Sequence, residues 1–132
     1  MSGKLPKRGL VVAQNVVIGY QLASLFKQQG WHMQVVHRDY SAYEVILHQK
    51  VDVVIADIDS PSLGGLAVLV YCHHHFPGTE TYGVLQGDDG DLKRLARDVA
   101  GCQGFFYLQS ESLQLDTSRG MATEFQPGSA SV

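Results

Sequence analysis

The chain has 132 residues, enough for one compact domain with a sizeable core, and 45% apolar with 17% charged residues is an ordinary globular composition. A formal charge of −3 and a pI near 6.0 exclude a generally basic nucleic-acid-binding surface. No apolar run approaches the roughly 20 residues of a membrane span, and no signal-peptide segment opens the sequence, so a cytoplasmic protein without a membrane partner is expected.

Residues 1–8, with Lys4, Lys7 and Arg8, read as an N-terminal arm. Gly9 to Ala13 is a short apolar run suited to a buried first strand. Val17 to Gln29 then places Val17, Ile18, Leu22, Leu25 and Phe26 at helical spacing, with Gly30 as the stop. Trp31 to Val36 reads as a second strand. Ser41, with Glu44 three residues on, has the capping-box pattern and predicts a two-turn helix through His48. Val51 to Asp57 is rich in β-branched residues, as a strand buried on both faces requires. Ser60-Pro61 ends any ladder, because proline has no N–H to donate. Leu66 to His75 forms the next helix, stopped by Pro77-Gly78.

Tyr82 to Leu85 predicts a fourth strand, ending in the polar turn Gln86 to Gly90. Asp91 is the expected cap of a helix over Leu92 to Ala100, and Gly101 ends it. Gly104 to Leu108 reads as a fifth strand. Beyond Gln109 the signal fades: Leu113 and Leu115 suit a short last element, and residues 119–132 read as a flexible tail. Strand and helix alternate about five times, which predicts one α/β domain over residues 9–118, a parallel sheet with helices on both faces.

An acidic group, Asp57, thus falls at the carboxyl end of a central parallel strand, where open α/β sheets build their sites. Asp59, two residues on, reads as a loop acid close to that mouth. Other signals have plainer readings. His73, His74 and His75 point about 100° apart on a helix and cannot easily converge on one metal ion. Cys72 and Cys102 form no CxxC pair and read as free, partly buried thiols. No nucleophile–base pair and no phosphate loop can be placed, so no enzymatic activity is expected.

From residue 9 to about residue 113 the pattern resembles the receiver domain of response regulators (CheY-like), above all in Val53 to Gly65: apolar strand, aspartate, then a Pro-x-x-x-Gly-like turn. The resemblance implies a flavodoxin-like (βα)5 sandwich with a five-stranded parallel sheet, here with a poorly specified last helix. It places Asp57 at the phosphoacceptor position and Phe105 at the aromatic that changes rotamer in active receivers. Elsewhere the site departs from the family. Ala13 and Gln14 stand where receivers carry the acidic pair that holds Mg²⁺, Gln86 where they carry Thr or Ser, and Leu108 where they carry lysine. Gln109 replaces the proline that follows.

Phosphoryl transfer to a carboxylate needs positive charge at the transferring oxygens, and Mg²⁺ usually needs one or two carboxylates plus waters. The sequence therefore predicts a degenerate receiver acting in two-component-type signalling by protein–protein contact, with weak or no phosphorylation and no cofactor. Its partner would be an output domain or another protein, or a second copy through the fourth-helix and fifth-strand face. Two rival readings are a functional phosphoacceptor using Asp57 with a weakened Mg²⁺ site, and a small-molecule-binding pseudo-receiver.

Overall fold

A computed structural model describes residues 7–60, 64–87, 89–109, 112–117 and 122–123. The apolar runs form the strands β1 (Arg8–Val12), β2 (His32–Val36), β3 (Val53–Asp57), β4 (Glu80–Leu85) and β5 (Gly104–Gln109). They pair in parallel in the order β2-β1-β3-β4-β5. β3 lies between β1 and β4, which is why every one of its residues is buried and its sequence is almost continuously apolar.

Between the strands run α1 (Val16–Lys27), α2 (Asp39–His48), α3 (Gly65–His75) and α4 (Gly90–Ala100). On one face, α1 seats Ile18, Leu22 and Phe26 against Val11, Ile55, Val84 and Phe106. On the other, α2, α3 and α4 pack over Leu10, Val54, Leu85 and Phe105. The alternation of inward and outward residues along β5 sends Phe106 to the first core and Phe105 and Tyr107 to the second. Cys72 and Cys102 are buried free thiols. Burial pushes Cys72 up to about 12 and Cys102 up to about 11, so neither is a thiolate at neutral pH.

Two helix starts differ from the sequence reading. α2 begins at Asp39, and Ser41 lies inside its first turn rather than capping it. The first-turn carboxylate of Asp39 suits the positive helix end and accepts from the Tyr40 N–H at 2.8 Å. α4 is capped by Asp89, whose Oδ1 accepts from the Leu92 N–H at 3.0 Å. Asp91 sits in its first turn and faces Arg94 at 3.5 Å.

A larger difference follows β5. No fifth helix occurs among the described residues. Instead β6 (Ser112–Thr117) folds back antiparallel on β5, from Gln109↔Ser112 to Gly104↔Thr117, and β7 (Ala122–Thr123) pairs with β6. The reason is in the sequence: Ser-Leu-Gln-Leu-Asp-Thr alternates polar and apolar residues with the period of a strand, not a helix. β7 falls in the segment read as tail. The rest of that segment beyond residue 123, and residues 1–6 of the arm, lie outside the described residues.

Candidate functional site

The parallel order puts the carboxyl ends of β1, β3 and β4 side by side, so the loops beyond them share one mouth. Asp57 closes β3 there and is only 4% exposed. Its depth is set by what covers it. Gly64 takes a left-handed φ of 71° and turns the chain into α3, so that Gly65 lies directly on the Asp57 carbonyl, where any Cβ would collide.

Three loops are tied across the mouth by side chains. Asp57 Oδ1 accepts from the Asp59 N–H at 3.3 Å, and Asp59 Oδ2 in turn accepts from the Gln86 N–H at 2.7 Å. The Ser60 hydroxyl donates to Gln14 Oε1 at 2.7 Å. Below them Ala13 is fully buried, and its carbonyl accepts from His37 Nδ1 at 2.9 Å. Burial raises the Asp57 carboxyl to about 6, helped by a side-chain hydrogen bond with Asp59 and by its charge. The backbone N–H groups of Asp59 and Ser60 oppose that rise.

Ala13, Gln14, Asp57, Asp59 and Gln86 are thus brought to one place. Phe105 lies apart from them, wholly buried on the α3–α4 side. Its neighbour across the sheet is Gly83, where a Cβ would press on the rings and chains of Phe105 and Ile58 at 2.9 Å. Leu108 follows the Leu85↔Tyr107 pair on β5 and lies opposite Leu113 of β6; its side chain lies outside the described residues, as does Asp88.

Sequence reasoning missed Ser60 and His37, and it missed Asn15, whose Oδ1 accepts from the Val17 and Ile18 N–H groups at 2.9 and 3.2 Å. Asn15 was findable, since Asn directly before an apolar helical run is a start signal. Ser60 and His37 were not, because their partners are 46 and 24 residues away.

Several of the oxygen donors at this mouth are engaged with one another. Asp57 and Asp59 are the two carboxylates that these contacts join, and one Asp59 oxygen is held by Gln86. Gln14 Oε1 is taken by Ser60, and the Ala13 carbonyl by His37. Among the described residues no group of three His, Cys, Asp or Glu could hold a metal ion.

No protein-family profile and no curated protein matches the sequence. Solved structures do. The signal receiver domain of an HD domain-containing protein from Pseudomonas fluorescens Pf-5 is similar at a TM-score of 0.71 and 19% identity, covering 81% of this chain and 79% of that one. A response regulator from Thermotoga maritima is similar at 0.70 and 16%, covering 82% and 87%. The beryllofluoride-activated NtrC4 receiver domain dimer, solved in solution, is similar at 0.69 and 18%, covering 77% and 84%. The chain has the fold of the response regulator receiver (CheY-like) domain, with Asp57 at the carboxyl end of its central strand.

Proposed function

We propose that this chain is a degenerate receiver module of two-component-type signalling, which works by protein–protein contact and takes up phosphate at Asp57 weakly or not at all. The observation that carries this reading is the internally bonded acidic mouth: Asp57 is buried beside Asp59 and tied through it to Gln86. A phosphoryl group arriving there would add negative charge to a site that already penalises the charge on Asp57 relative to water. Leu108 offers no cation to offset it, and neither Gln14 nor Gln86 carries charge. Neither a metal nor another cofactor is part of this function, and the chain is not an enzyme.

A partner protein or output domain is the consumer of the signal. The Pseudomonas fluorescens neighbour is a receiver within an HD domain-containing protein, and the NtrC4 neighbour is a dimer. By analogy, the side of the sheet near α4 and β5 is the contact face of this chain.

The test is intact mass after incubation with acetyl phosphate and millimolar Mg²⁺, run on the native chain, on Asp57→Ala and on the double variant Gln14→Asp/Leu108→Lys. The native chain is expected to gain at most a trace of phosphoryl mass, and the double variant a clearly larger fraction. Uptake by the native chain equal to that of the double variant, and lost in Asp57→Ala, would establish a working phosphoacceptor instead.

A further inference from the structure

The two ends of α4 are tied by hydrogen bonds. At its start Asp89 caps the Leu92 N–H, and at its end the Thr81 hydroxyl donates to the Ala100 carbonyl at 2.8 Å, with Gly101 in the left-handed region closing the helix. Ala96 and Ala100 are its fully covered residues, with Leu92 and Val99 partly buried against the same core, whereas α1 fully covers Ile18, Leu22 and Phe26.

Beside these, α4 lays a pair of cations on a pair of rings. Lys93 Nζ lies 5.2 Å from the centre of the Tyr107 ring, and the Arg97 guanidinium lies 5.4 Å from the centre of the Phe105 ring. The spacing matches on both sides. Residues four apart on a helix rise about 6 Å, and residues two apart on a strand rise about 6.6 Å on the same face. The pairs run in opposite senses, so helix and strand interlock along one line. Arg97 Nε is sealed from solvent and has no hydrogen-bond acceptor among the described residues. That unmet donor works against the stack and keeps it a contact that can open.

We propose that Lys93 and Arg97 form a cation–aromatic latch with Tyr107 and Phe105, which holds α4 against β5 in one conformation and lets α4 release before α1. The device is the chain's own, and it acts without any change at Asp57. Its bearing on signalling rests on the reading of α4 and β5 as the contact face.

Amide hydrogen exchange of the full chain tests it, with Arg97→Met keeping the apolar stem and removing the charge. In the native chain, amides in the middle of α4 are expected to exchange sooner than those of α1. In Arg97→Met they should exchange about threefold to tenfold faster still, with β1 and β3 unchanged, and Arg97→Lys should return them to within about twofold. Unchanged or slower α4 exchange in Arg97→Met would overturn the latch, since losing the sealed donor would then matter more than losing the stack. Acceleration spread equally over β1 and β3 would overturn it as well, by showing a general loss of stability. Phosphoryl uptake measured on the same samples bears on the proposed function alone and leaves the exchange result standing.

Discussion

Asp57 is a carboxyl group that the fold would rather keep neutral, because burial and the Asp59 carboxylate both raise it, to about 6. Its unfolded value is near 4. A group raised on folding supports the native state fully below its unfolded value, and that support is lost as the pH climbs through the folded value. Asp57→Asn should therefore stabilise the chain by about 1–2 kcal/mol at pH 8, with the gain fading towards pH 4. Urea unfolding at the two pH values measures it, and equal effects at both would show that charge is not the cause. The position of Asp57 was legible in the sequence, since a β-branched run ending in an acid before Ser-Pro fixes a strand end. Its entanglement with Asp59, Ser60, Gln14 and Gln86 was not. Those contacts depend on where three loops meet, which spacing along one segment cannot report. Gly65 shows the same divide: a glycine at a helix start reads as a turn residue, whereas here it is the absence of a side chain above the Asp57 carbonyl that counts.

At the level of elements, periodicity found the five parallel strands and the four helices, and erred where two local signals competed. Ser41 with Glu44 is a sound capping pattern, yet Asp39 opens α2 two residues earlier. Asp91 and Asp89 are both good caps, and it is Asp89, with extended backbone and its side chain on the Leu92 N–H, that opens α4. Asn15 is the cap with the clearest consequence, because it serves two N–H groups at the mouth itself. Asn15→Ala should cost about 1 kcal/mol by thermal unfolding, within the usual range for losing a cap. A change below a few tenths would mean that water replaces both bonds. β6 went unrecognised as a strand because the two-residue alternation around Leu113 and Leu115 is short.

Across the whole molecule, the five parallel strands place a single mouth at one end of the sheet, and β6 changes what lies at its side. β5 is not left with a free outer edge, since Gly104 to Gln109 are all paired with β6. Among the described strands the outermost on that side is β7, two residues long, which pairs with Leu115 and Asp116 of β6. A chain shortened after Gln109 should therefore self-associate as its concentration rises, where the full chain does so less; static light scattering compares them, and equal scattering would remove this role from β6. The same hairpin bears on how the molecule assembles. β5 and β6 meet across residues 110–111 alone, so their pairing closes a very small loop, while Gly9 of β1 must find Val53 of β3 across a whole crossover. Loop-closure entropy favours the short link, and rates fall as contacts become less local. The last strands of the sheet are thus the ones best able to pair first, so the carboxyl-terminal edge can be standing before the central strand that bears Asp57 has been threaded between its neighbours.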